Sequence, residues 1–156
     1  MSLLGLLVAT ACSDAPSPRI GDHWQASYAI NICGHEEKPL PKFEGGVYTR
    51  GDGVIHVQPA LPSEEGEGAR LVEFFRNAGG DLSQQSLGLP GDRPWRTGNV
   101  CPDGRPGRVV VVVNQNPLGK DLDSYVPQDG DRILIAFVPA GSPAPVLSPP
   151  PMPAND

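Results

Sequence analysis

Arg108-Val109-Val110-Val111-Val112-Val113-Asn114 is the stretch of this 156-residue chain that decides its fold. Valine is β-branched and favours strands, and an unbroken apolar run is typical of a strand covered on both faces. We therefore predict a central β-strand over 108–114. A second apolar run, RILIAFV over 132–138, follows the turn signal Asp129-Gly130 and predicts the last strand.

Two more strand segments lie earlier in the chain. Segment 23–33 (HWQASYAINIC) is rich in aromatic and β-branched residues and alternates in polarity. The alternation places one set of side chains on a single side: Trp24, Ala26, Tyr28, Ile30 and Ile32. Segment 46–58 predicts a hairpin, because a turn signal at 51–53 (GDG) separates two short β-prone runs.

One helix is predicted over 63–78. Its start carries Ser63 and a group of glutamates, which the helix dipole favours, and Gly79-Gly80 marks its end. The buried side chains expected of it are Leu71, Phe74, Phe75 and Ala78. The order strand, strand, helix, strand, strand predicts an α+β fold, in which one helix crosses a small mixed sheet in a β-grasp-like arrangement.

The sequence predicts one domain over 21–138, with an unstructured segment at each terminus. Residues 1–11 form a short apolar segment like that of a signal peptide, although no Lys or Arg precedes Leu3. Cys12 follows the small residues of a cleavage site. This pattern resembles a bacterial lipoprotein signal, which implies lipidation of Cys12, a Ser/Pro-rich tether over 12–20 and a membrane contact through the lipid anchor only. Plain secretion and a buried N-terminal segment are the alternatives. Segment 139–156 has seven prolines and predicts a disordered tail.

The remaining cysteines, Cys33 and Cys101, form an even pair in a chain expected outside the cytoplasm. In an oxidising compartment the default interpretation is a disulfide. The alternatives are free thiols and a metal site that uses Cys33, since His35 follows it two residues later.

Charge and motifs narrow the function classes. Twelve Lys and Arg against eighteen Asp and Glu give a net charge of −6, which argues against a nucleic-acid partner. No nucleophile elbow, phosphate loop or zinc-protease motif is present, so we predict no enzyme activity of the hydrolase type. Any of the three histidines, His23, His35 and His56, offers an imidazole that can bind zinc or copper.

Several short motifs together resemble an uncharacterised family of bacterial envelope-anchored proteins. They are D-H-W at 22–24, C-G at 33–34, G-D-G-V-I-H at 51–56, and C-P-D-G at 101–104 before the valine strand. The family pattern has further histidines where this chain has Gln25, Arg50 and Gln58. The D-G-D turn at 129–131 also resembles the ending of β-grasp proteins. The resemblance implies an envelope location and brings no established activity.

Two functional hypotheses follow from these residues. The first is a non-enzymatic domain of a cell-envelope lipoprotein that binds another envelope component, with no cofactor. The second is an extracytoplasmic transition-metal protein that holds zinc or copper through His23 and His56, with His35 as a further ligand.

Overall fold

The computed structural model describes residues 15–145. The predicted signal peptide, Cys12 and residues 146–156 of the predicted tail lie outside the described residues. Within this range the strands are β1 (Trp24–Ile32), β2 (His35–Glu37), β3 (Val47–Tyr48), β4 (Val54–Val57), β5 (Asp81–Leu82), β6 (Ser86–Gly88), β7 (Trp95–Arg96), β8 (Gly107–Val113), β9 (Asn116–Pro117) and β10 (Arg132–Pro139). The one α-helix here is α1 (Leu71–Asn77), and 3-10 turns lie at Pro62–Glu64, Gly66–Ala69 and Gly119–Ser124.

The main sheet is mixed, and its order is β3-β4-β1-β10-β8-β9, with β2 paired to the far end of β1. Strands β1 and β10 are parallel neighbours, and the other pairs are antiparallel. The first and last long strands therefore lie side by side in the middle, and α1 packs on one face. This confirms the predicted α+β class with a mixed sheet and one main helix.

The valine strand β8 is not the central strand, which corrects the first prediction. Its register with β10 covers seven residue pairs, but on its other side β9 pairs only with Val112 and Val113. The centre belongs to β10, which has long partners on both sides. An apolar run indicates burial of side chains, and it does not report how many neighbours the backbone has.

Each long strand sends alternate side chains to the two faces of the sheet. On β1 the predicted set Ala26, Tyr28, Ile30 and Ile32 faces the large apolar core, together with Phe74 and Phe75 of α1. We call this side the helix face. The opposite side carries a smaller cluster of Ala29, Val110, Leu134, Ala136 and Val138, and we call it the open face.

The predicted helix is shorter than the sequence indicates. Residues 62–69 form two 3-10 turns, and α1 begins only at Leu71. Gly66 and Gly68 explain the interruption. Gly66 has a positive φ of 52°, and a Cβ at Gly68 would lie 2.1 Å from the Ser63 carbonyl oxygen, so neither position suits a regular helix with side chains. Leu71, Phe74 and Phe75 are buried as predicted, whereas Ala78 is only half-buried.

A small second sheet, β5-β6-β7, was not predicted. It lies within the stretch between α1 and β8 that is dense in glycine and proline. Trp95 of this sheet packs on Phe137 of β10 with ring centres 5.3 Å apart. The same Phe137 ring fills the space beside Gly107, where a Cβ would come within 2.2 Å of it.

Part of the predicted tether contacts the domain. The Pro16 carbonyl accepts a hydrogen bond from the Gln128 side chain, and the Pro18 carbonyl accepts one from the Gly66 amide. At the other terminus β10 extends to Pro139, one residue beyond the predicted end. No helix within the described residues is long and apolar enough to cross a membrane.

Candidate functional site

The disulfide between Cys33 and Cys101 is present, which confirms that prediction. Cys33 and Gly34 form a two-residue turn between β1 and β2, both with positive φ (53° and 89°), so the Cys33 side chain is aimed at the Cys101 loop. The two Cα atoms are 5.6 Å apart. Because its sulfur is bonded to Cys101, Cys33 is not available as a metal ligand in this state.

Two of the predicted histidines meet at the opposite end of β1. His23 lies just before β1 and His56 lies on β4, and Nε2 of His23 is 3.3 Å from Nδ1 of His56. This contact follows from the register, because His56 pairs with Gln25, two residues after His23. Both side chains project on the open face, since their neighbours Trp24, Ile55 and Val57 contact the core of the helix face.

The two imidazole rings face each other edge to edge. Their centres are 5.6 Å apart and their planes differ by 27°. The two ring centres are 2.3 Å farther apart than the two facing nitrogens. That is twice the distance from the centre of an imidazole ring to its own nitrogen, so the two nitrogens lie on the line that joins the ring centres. Each nitrogen therefore points directly at the other.

His56 is held firmly, whereas His23 is exposed. The His56 side chain is 1% exposed, and its ring stacks on Tyr48 of β3 with centres 4.9 Å apart and planes 14° apart. Burial lowers the pKa of His56, and the nearby Arg50 lowers it further while Asp52 partly opposes both. His56 is therefore fixed in place, and its neutral form is favoured.

Buried polar atoms without a partner are concentrated around this pair. Within the described residues, the buried side-chain atoms that lack a hydrogen bond are Nε2 of His56, Oε1 of Gln25, Oγ of Ser27 and Nε of Arg70. The first three belong to the open face. Gln25 is the cross-strand partner of His56, so an unpaired acceptor and an unpaired ring nitrogen lie on directly opposite residues. A buried polar atom without a partner costs about 1–3 kcal/mol, which is a reason to look for a ligand here.

His35 does not join the pair. It is exposed on β2 and pairs with Ile32, whereas His56 pairs with Gln25. Seven residues of β1 separate these two positions, which is about 23 Å along a strand. Within residues 15–145, no three His, Cys, Asp or Glu side chains come together in a group that could hold a metal ion.

Two other polar features of the molecule have carboxylates that are paired by internal contacts. The buried Asp131 carboxylate accepts hydrogen bonds from the Tyr125 hydroxyl, the Gln128 amide and the Asn114 side chain, and so fixes the turn before β10. A cleft of about 350 Å³ between β3 and the 3-10 turns is lined by acidic residues. Its Glu64 accepts two backbone amides and its Glu73 binds Arg70 and Arg76. The carboxylates of both features therefore already have structural partners, including Glu44 of the cleft, which pairs with Lys42.

Comparison with known proteins gives no match, because no family model matches the chain and no curated protein or solved structure is significantly similar to it. The resemblance to an envelope-anchored family therefore stays a prediction. Function has to be inferred from the geometry of the sites themselves.

The sequence indicates His23 and His56 as candidate ligands. It does not indicate the two residues next to His56, which are Gln25 on the paired strand and Tyr48 stacked on its ring. The available signal was strand alternation, which puts Gln25 and Tyr48 on the same face as His56 once the strands are paired. What the sequence lacked was the register between β1, β3 and β4. The turn at 51–53 connects β3 and β4 only, and the pairing of β4 with β1 is long-range.

Proposed function

We propose that this chain is a non-enzymatic, extracytoplasmic domain that binds another component of the cell envelope. The observation that carries the proposal is the position of the disulfide relative to the tether. Residues 16–18 attach beside Gln128 and Gly66, near the start of β1, while Cys33 follows the end of β1 and holds the Cys101 loop. A domain anchored through residue 12 would present that loop about 26 Å away, at its far end.

The Cys101 loop has the composition of a contact surface. Val100 is 59% exposed, and the loop and its flanks carry exposed arginines. Among them, Arg93, Arg96 and Arg108 form no ion pair within residues 15–145. Arginine is enriched at protein interfaces. A surface that is already ordered also costs less conformational entropy to bind.

The loop is held in one conformation by several backbone contacts as well as by the disulfide. The Gly98 amide donates to the Gly107 carbonyl, the Gly107 amide donates to Asn99, and the Cys101 amide donates to Arg105. The Arg105 guanidinium binds the Asp103 carboxylate and the Ala140 carbonyl. These contacts support a role as a rigid recognition loop.

A photo-crosslinking experiment in the envelope of the source cells tests this proposal. Benzoylphenylalanine replaces Val100 in one variant and Leu61, which is 57% exposed near the tether end, in a matched control. We expect a discrete adduct of defined mass from position 100 and none from position 61. Equal adducts from both positions, or none from position 100, would contradict the proposal.

The anchor itself is tested separately. We propose that Cys12 carries the lipid, on the strength of the sequence motif at 9–12. The full chain is then expected in the detergent phase after phase separation, and Cys12→Ala is expected in the aqueous phase. Recovery of the unmodified chain in the aqueous phase would instead establish plain secretion.

A further inference from the structure

His23 and His56 join an exposed imidazole to a buried one. Their two facing ring nitrogens lie in line at 3.3 Å and share a long N–H···N hydrogen bond. On the far side of the His56 ring, Nε2 is buried without a partner, and the opposite Gln25 Oε1 is buried without one as well. Together these features describe two nitrogens that share one proton, and an unused acceptor on the strand residue opposite His56.

We propose that His23 Nε2 and His56 Nδ1 bind one monovalent copper ion in a linear, two-coordinate site. Imidazole nitrogen is a good ligand for copper. A d10 monovalent ion accepts two ligands in a line, and the two nitrogens already point along one line, so the ion replaces the shared proton once His23 moves outward. The site is independent of the proposed envelope-binding function, because it is at the opposite end of β1 from the Cys101 loop.

The same geometry argues against zinc, the other metal expected from the sequence. Zinc is held almost always by four ligands at tetrahedral angles. The two nitrogens would have to turn away from their common line to reach a tetrahedral ion, and no third His, Cys, Asp or Glu joins them within the described residues. A site of two collinear imidazoles therefore selects for an ion that needs no further ligand.

Gln25 has a defined role in this site as a positioning residue. When Nδ1 of His56 binds the ion, the ring proton sits on Nε2, and a ligating histidine normally donates its second N–H to an acceptor. Gln25 Oε1 is the unpaired acceptor on the residue directly opposite. A rotation of the Gln25 side chain then pairs these two buried atoms, which the structure leaves without a partner.

The two histidines contribute differently to ion entry. The His56 ring is fixed by burial and by stacking on Tyr48. His23 is exposed and lies before the start of β1. Its side chain can therefore move outward and make room for the ion between the two nitrogens. The ion then enters from the solvent side of His23.

An anaerobic titration with monovalent copper tests the proposal. The ion is supplied as its acetonitrile complex in competition with bicinchoninate, and every protein carries Cys12→Ser because a free thiolate would bind the ion itself. We expect one ion per chain in this background and in the matched control His35→Gln. We expect binding at least about 100-fold weaker in His23→Gln, and about 10–100-fold weaker in Gln25→Leu, which removes only the acceptor on the residue opposite His56.

His23→Gln is the decisive variant, because His23 is exposed and its replacement leaves the buried packing intact. His56→Gln serves as a second variant once its circular dichroism matches that of the parent. X-ray absorption of the loaded protein should show two nitrogen neighbours and no sulfur. Copper affinity that is the same in His23→Gln, or zinc held as tightly as copper and lost in the same variants, would overturn the proposal.

Discussion

The helix face and the open face of the main sheet are built from the same strands but differ in chemistry. The helix face packs aromatic and aliphatic side chains against α1, and its buried Tyr28 hydroxyl accepts a hydrogen bond from the Leu40 amide. The open face has five small or medium aliphatic residues in its cluster and carries buried polar atoms without a partner at Gln25, Ser27 and His56. The helix face therefore contributes apolar packing, whereas the open face retains buried polar groups that cost stability.

The largest expected effect comes from opening the disulfide, whose two cysteines both pack with the helix face. The bond joins residues 68 positions apart, and the chain-entropy estimate for that separation is about 4 kcal/mol. We expect the double variant Cys33→Ser/Cys101→Ser to lose about that much free energy of unfolding in urea. The His23–His56 contact lies at the other end of β1, so the imidazole NMR signals of the folded variant should be unchanged. A loss below about 1 kcal/mol would mean that the loop is held by its backbone contacts alone.

A matched pair of substitutions on β10 compares the two faces directly. Ile135 is 0% exposed on the helix face, and its neighbour Leu134 is 6% exposed on the open face. We expect Ile135→Ala to cost about 3–4 kcal/mol and Leu134→Ala about 2 kcal/mol, because the cost grows with the cavity that remains. Urea denaturation of both variants measures the difference. Equal losses would show that the open face is packed as densely as the helix face.

The long strands and the core of α1 were predictable because their patterns are local. The alternation over 23–33 identified the buried side of β1, and the glycine-flanked hairpin over 46–58 identified β3 and β4. The disulfide was predictable from the cysteine count and from the extracytoplasmic location that the sequence predicts. The predicted start of the helix was wrong, because glutamates are compatible with 3-10 turns as well as with the first turn of an α-helix. Gly66 and Gly68 favour the 3-10 turns.

The candidate site was only half predictable, because its geometry depends on register. Sequence gives His23 and His56 as imidazoles and places each in a strand-like segment. It does not give the pairing of His56 with Gln25 or with Tyr48, which brings the rings together and leaves His35 at the far end of β1. Tertiary pairing of strands is a long-range property, and the small sheet around Trp95 was missed for the same reason.

Alkaline pH probes the paired polar group of the helix face. Burial raises the pKa of Tyr28 from 10.0 to about 12, so folding favours the neutral phenol. The stability from this group is complete below pH 10 and is lost as the pH rises towards 12, by up to about 2 kcal/mol. Urea midpoints at pH 9 and pH 11.5 should therefore fall less in Tyr28→Phe than in the parent. Some slope should remain in the variant, because burial and Asp131 also raise the pKa of Tyr125. An identical slope in both proteins would contradict the assignment.

The smallest expected effect has the opposite sign and concerns the open face. Ser27 is fully buried, and its hydroxyl has no partner within the described residues. Ser86 is also buried, but its hydroxyl contacts the Asp81 carboxylate and Ser83. We expect Ser86→Ala to lose about 1 kcal/mol and Ser27→Ala to gain up to about 1 kcal/mol, because removing an unpaired buried polar group removes its desolvation cost.

The two serine variants therefore test whether the Ser27 hydroxyl has a hydrogen-bond partner in solution. If Ser27→Ala raises the free energy of unfolding, the Ser27 hydroxyl is unpaired in solution and its burial destabilises the native protein. A loss similar to that of Ser86→Ala would mean that the Ser27 hydroxyl has a partner in solution, and a buried water is the simplest one. In that case Gln25 and His56 are expected to share the same water network, and Ser27→Ala should also alter the imidazole signals of His56. The sign of one small free-energy change thus decides whether the open face is a strained site or a hydrated one.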